Sequence, residues 1–152
     1  MANESNGRPI AHLTRRYEFC ASHRLHSAGL SDADNQRIYG KCNNPYGHGH
    51  NYQLEVTVKG PVDSSTGMVI NLKDVDGLVQ EEVLDPFDHT NLNLDLACFR
   101  DHDVVPTSEN LLLEIARRLT ARWGGEAPAG TVSMVKLRLQ ETGKNSFEYH
   151  FL

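Results

Sequence analysis

Residues 42–52, CNNPYGHGHNY, bring a thiol, two histidines two apart and three turn formers into eleven residues. The stretch runs into QLEVTVK, whose alternation of apolar and polar residues is that of a strand with one buried face. A period of two puts His48 and His50 on the face that carries Tyr52, Leu54, Val56 and Val58. Neighbours i and i+2 on a strand lie roughly 6 to 7 Å apart, so two imidazoles there can reach one ion at about 2 Å. The chemistry on offer is metal binding, zinc (Zn2+) first. A bare HxH pattern also fits two surface histidines beside a turn. Two residues tip the balance toward a metal: His23 ends an earlier apolar strand face, and Cys42 precedes His48 by six residues. Three neutral nitrogens, with a fourth position left to water or substrate, describe a catalytic rather than a structural zinc. His12, His26, His102 and His150 sit beside no comparable cluster.

Three further features carry chemistry. Cys42 has three readings: a fourth zinc ligand, a packed thiol, or a catalytic base or nucleophile; Lys41 and a nearby cation would both favour its thiolate. Asp88 and His89 fit a proton relay in which the carboxylate sets the tautomer, and equally a turn in which Asp88 caps and His89 is a satisfied polar residue. Glu141 continues the Val135, Leu137, Leu139 face, where a carboxylate needs a partner; a guanidine-like ligand edge or an arginine would each supply two hydrogen bonds.

The elements that position these groups follow from patterning. Leu13, Tyr17, Phe19, Ala21 and His23 mark one face of a first strand, interrupted by Arg15. A polar connection over about 25–46 is long enough to line a site. The second strand runs over about 48–59, and Met68 to Ile70 form a short extended piece. Asn71 caps a first helix carrying Leu72, Val75, Val79 and Val83, which ends near Leu84 because Pro86 disfavours helix before it. The stretch from Asp85 to Pro106 reads as irregular. Thr107 or Ser108 starts a second helix with Leu112, Ile115, Ala116 and Leu119 on one stripe, stopped at Gly124-Gly125. A closing hairpin pairs the Val135–Glu141 strand with Phe147, Tyr149 and Phe151 across the turn TGKN. The order ββααββ predicts an α+β fold, an antiparallel four-stranded sheet with two helices on one face, whose open edges invite assembly between subunits.

The 152 residues, 39% of them hydrophobic, suit one domain over 11–152 behind a loose tail over 1–10. A net charge of -5 without a basic stripe argues against nucleic acid or an anionic membrane as partner, and for a small-molecule substrate. Three cysteines without a CxxC pair suit a reducing compartment. The N-terminus has no signal-peptide core and no run approaches a membrane span, so a cytoplasmic protein is expected.

In combination, FCASHRL, YGKCNNP, GHGHNY, TGMVINL, LDPFDHTNLN, PTSEN and LQET resemble the 6-pyruvoyl tetrahydropterin synthase family of the tunnelling-fold superfamily, from Arg15 to Tyr149. The resemblance implies that His23, His48 and His50 ligate zinc, that Cys42 is the catalytic base and that Asp88 and His89 are its partners. It implies that Glu141 anchors the pterin ring and that Thr107, Ser108 and Glu109 border the pterin pocket. The implied reaction converts 7,8-dihydroneopterin triphosphate to 6-pyruvoyl tetrahydropterin with loss of triphosphate, in tetrahydrobiopterin biosynthesis. Magnesium (Mg2+) would accompany the triphosphate, and the fold's barrel would be completed in a homohexamer, a dimer of trimers.

Departures are small: Cys20 stands where a serine is common, and Ser108 replaces a threonine. The nearest alternative is 6-carboxytetrahydropterin synthase of the queuosine pathway, in which the cysteine precedes the HGH pair by three intervening residues; five intervene here, Asn43 to Gly47. A binding-only module for pterin or zinc is the other alternative, and has no need of Cys42, Asp88 and His89 together.

Overall fold

The computed structural model describes residues 7–124 and 130–152. Two fourteen-residue strands form its spine. β1 (Ile10–His23) and β2 (His48–Pro61) pair antiparallel over their whole length, from Ile10 opposite Pro61 to His23 opposite His48. That register brings both HGH histidines to the end of β1 that His23 closes. β3 (Thr90–Asn91) pairs parallel with β1, β4 (Ser133–Thr142) pairs antiparallel with β2, and β5 (Asn145–His150) returns along β4. The sheet order is β3-β1-β2-β4-β5.

The sheet is therefore mixed and five-stranded, where patterning predicts an antiparallel four-stranded one. The extra strand is two residues long, too short for a period of two to register, and exists because the backbone after His89 falls against β1. The strand also begins at Ile10, within the expected tail, while residues 1–6 of that tail and Gly125 of the expected helix stop lie outside the described residues.

Three longer helices accompany the sheet: α1 (Asp32–Tyr39), α2 (Leu72–Val79) and α3 (Ser108–Arg122). α1 occupies the long polar connection over 25–46, started by the Ser31 side chain accepting from the Asp34 N–H and continued by a 3-10 turn over Gly40–Asn43. Its mostly polar sequence hides it from a periodicity argument. Asn71 caps α2 as expected, but the chain stays helical past Leu84, through a π turn over Gln80–Leu84 and a last turn over Asp85–Phe87. A π turn widens the helix and reaches back five residues, as in the bond from Asp85 N–H to Gln80 O, so Pro86 enters without breaking it. Single helical turns over Leu92–Asp95 and Ala97–Arg100 fill part of the remaining stretch. Residues 68–70 form no strand, the chain bending at Val69 and Ile70, after a turn in which the Asp63 carboxylate accepts from the Ser65 and Thr66 N–H groups.

The core joins the inward strand face to both predicted helix stripes. Phe19, Tyr52, Leu54, Val56, Leu137 and Leu139 from the strands are buried with Val75, Val79, Leu111, Ile115 and Leu119 from the helices. Arg15, the break in the β1 pattern, escapes burial by donating two hydrogen bonds to Asp76 on α2 at 3.0 and 3.1 Å, beside a Tyr17 hydroxyl donating to the same carboxylate at 2.8 Å. Among the described residues no helix is long and apolar enough to cross a membrane.

Candidate metal centre and its polar surroundings

Strand pairing delivers the three histidines. His23 lies opposite His48, and the period of β2 puts His50 on the same side. The ring centroids are 4.7, 5.0 and 4.8 Å apart, and one ligating nitrogen from each lies within 4.8 Å of the other two. His23 is 1% exposed. Its Nδ1 stands 2.7 Å from the Pro106 carbonyl oxygen, which can only accept, so Nδ1 carries the proton and Nε2 presents a lone pair toward His48 Nε2, 3.1 Å away. Burial pushes the His23 imidazole below its ordinary pKa, with the Pro106 carbonyl opposing, and burial does the same to His50. Both are neutral at physiological pH and available as ligands.

A metal ion fits this donor set on one further observation. His50 Nε2 is buried with no hydrogen-bond partner, and its nearest acidic oxygen, Glu141 Oε1, is 3.9 Å away. A buried ring nitrogen left without a partner is costly, and a cation between the three rings would satisfy it. The Pro106 carbonyl then plays the role of the outer group that fixes a ligand's tautomer and orientation.

Glu141 sits at an irregularity of the β4–β5 pairing, between Gln140 and Thr142, and a bulge of this kind re-aims a side chain. The buried Ser108 hydroxyl donates to Oε2, and Asn145 Nδ2 donates to Oε1 at 3.3 Å. Burial raises the Glu141 carboxyl, but these two donors and the nearby imidazoles outweigh it and hold the group below its usual range. Thr107 is engaged as the cap of α3, its hydroxyl accepting from the Asn110 N–H, and Glu109 is exposed on the first turn.

Asp88 and His89 form the pair the sequence suggests: His89 Nδ1 lies 3.0 Å from Asp88 Oδ1. Their setting comes from β1. The Cys20 N–H donates to Asp88 Oδ1 at 2.8 Å, which is the main reason the Asp88 carboxyl stays below its ordinary pKa. The Cys20 carbonyl accepts from the His89 N–H at 2.7 Å, holding His89 in a left-handed conformation with φ 59°. Its side chain is 81% exposed. A cleft of about 460 Å3 is bounded by Cys20, His50, Asn51 and His89.

Cys42 stands apart. It joins neither the three-histidine group nor the Asp88–His89 group among the described residues; the thiol beside the latter pair is Cys20. Cys42 lies on the 3-10 turn, its carbonyl accepting from the Leu25 N–H at 2.9 Å, and buried Asn43 ties the same turn to the Leu25 carbonyl at 2.8 Å. Sequence reasoning missed the Pro106 carbonyl, the Asn145 amide and the proximity of Cys20, since a backbone carbonyl or a contact across strands leaves no sequence signal; only the Asn145 position, in the hairpin turn after Glu141, was within reach of a hairpin argument.

The family model described as 6-pyruvoyl tetrahydropterin synthase matches residues 12–151. The chain belongs to that family. A relative from Poecilia reticulata, 6-pyruvoyl tetrahydrobiopterin synthase, is 47% identical over 151 residues, covering 96% of this chain and 97% of its own. The human protein of the same name is 43% identical over 150 residues, covering 98% of both chains. The solved structure of Caenorhabditis elegans 6-pyruvoyl tetrahydropterin synthase superposes with a TM-score of 0.85 at 39% identity, covering 95% of this chain and 98% of that one.

Proposed function

We propose that this chain is a zinc-dependent carbon–oxygen lyase that converts 7,8-dihydroneopterin triphosphate to 6-pyruvoyl tetrahydropterin and triphosphate in tetrahydrobiopterin biosynthesis. The observation that carries the reading is a triad of imidazoles with an unsatisfied buried nitrogen, 3.9 Å from a carboxylate held ionised, in a member of this family.

His23, His48 and His50 would hold the zinc. The chemistry such an ion supplies is Lewis acidity toward oxygen ligands, here the substrate's side-chain hydroxyls. Glu141 accepts two hydrogen bonds from the amidine-like edge of the pterin, which replaces the distant imidazole as its neutralising partner. The Ser108 hydroxyl and Asn145 amide hold that carboxylate in place, and Thr107 and Glu109 border the ring pocket from the start of α3. Cys42, as thiolate, takes the carbon-bound proton of the side chain. His89, oriented by Asp88, moves protons on and off the hydroxyl oxygens through the ring nitrogen that Asp88 leaves free.

Cys42 and the Asp88–His89 pair are not grouped within one chain, which supports a pocket completed between subunits. We propose a homohexamer, a dimer of trimers, in the cytoplasm, with magnesium carried on the triphosphate. The cysteine spacing, with five residues intervening before His48 rather than three, favours this product over a 6-carboxytetrahydropterin. Purified protein supplied with zinc and 7,8-dihydroneopterin triphosphate should release triphosphate and yield a product with the mass of 6-pyruvoyl tetrahydropterin. A carboxylated product, or binding without triphosphate release, would replace this reading with one of its alternatives.

A further inference from the structure

Cys20 differs from every residue used above in having reactive chemistry and no assigned task. It lies on the sheet face opposite the three histidines, since β1 alternates and His23 is three residues away. Its thiol, one Asp88 carboxylate oxygen and one His89 ring nitrogen all lie within 4.8 Å of one another. Sulfur, oxygen and nitrogen donors in one group are a ligand set for zinc or a neighbouring borderline metal. Tetrahedral zinc needs donors about 3.3 to 3.8 Å apart. The half-buried thiol and the exposed His89 ring can close that gap by side-chain rotation, and two backbone hydrogen bonds from residue 20 already hold the Asp88–His89 segment against it. Charge closes as well: one thiolate and one carboxylate neutralise a dication. The cleft in front leaves room for a water as fourth ligand.

We propose that Cys20, Asp88 and His89 form a second, exchangeable zinc-class site, distinct from the three-histidine centre, whose filling silences the enzyme. Binding replaces the thiol proton with the S–metal bond and releases that proton to solvent. The occupied site consumes the lone pair of His89 and the carboxylate of Asp88, so proton transfer through them stops. That inhibitory consequence rests on the relay reading of Asp88 and His89; the binding itself does not.

Protein loaded with one zinc per chain and then equilibrated with excess zinc should bind two per chain, and Cys20→Ser should stay at one. Serine is a conservative test here, nearly equal in size and lacking only the soft donor. Cobalt supplied as the second equivalent should give a near-ultraviolet thiolate-to-metal band that Cys20→Ser abolishes and Cys42→Ser keeps, a band three histidines cannot produce. The second equivalent should slow triphosphate release by tenfold or more in the wild type and leave Cys20→Ser unaffected. A wild type that stops at one zinc, a Cys20→Ser protein that takes two, or a band that follows Cys42 overturns the site. If neither protein turns over, the functional reading falls, while the metal count and the cobalt band still decide the site.

Discussion

His23 shows what one residue needs in order to act. Its backbone comes from β1, its orientation from a carbonyl 83 residues later, and its neutrality from burial. Losing one of three ligands should be severe, so His48→Ala is expected to lose its zinc to dialysis, with metal content per chain falling from about one toward zero. Cys42→Ala should differ in kind: zinc and assembly intact, turnover reduced by at least a hundredfold, as expected for removal of a proton-transfer group. Metal analysis beside a triphosphate-release assay separates the two outcomes, and an active Cys42→Ala protein would remove the thiol from the mechanism. The types and spacing of these residues were legible in the sequence. Their companions were not, because the Pro106 carbonyl and the thiol of Cys20 reach the site through folding alone.

At the scale of elements, the HGH strand must start at a fixed point, and Gly47 sets it. Its φ is 73°, and a Cβ there would come within 2.9 Å of the His23 carbonyl oxygen. Gly47→Ala should therefore cost about 1 to 2 kcal/mol from the left-handed backbone alone, with the clash in addition, and should lower both melting temperature and zinc retention. A variant that melts and binds metal as the wild type does would show that the strand entry tolerates a side chain. The tie between α2 and β1 makes a pH-dependent contribution. Hydrogen bonds from Arg15 hold the Asp76 carboxyl below its ordinary value, so its stabilisation is present above the unfolded-state pKa and fades as pH falls through the folded one. Because both partners are more than a third exposed, solvent screens the pair and the contribution is small. Melting of Asp76→Asn should fall below wild type at pH 7 and converge with it once the pH has dropped below the ordinary carboxylate range; a constant difference would assign the effect to packing instead. Long periodic elements were legible here, whereas α1 is polar, β3 is two residues long and the π turn carries a proline past its usual stop.

For the whole molecule, two sheet edges are open in a single chain: β3 on one side and β5 on the other. Closure by neighbouring copies predicts a native mass near six times the 17.0 kDa of one chain, measurable by light scattering, with a shift to smaller species accompanied by lost turnover. A fully active monomer would contradict a pocket shared between subunits. Local periodicity and residue type are enough to write the long strands, the two apolar helices, the three histidines, the Asp88–His89 pair and the position of Glu141. Folding alone sets the parallel course of β3 beside β1, the hold of Ser108 and Asn145 on Glu141, and the placing of Cys20 rather than Cys42 beside Asp88 within one chain. The physical reason is that these depend on which distant segments strand pairing and core burial press together, and such contacts span tens of residues without leaving a pattern in any one of them.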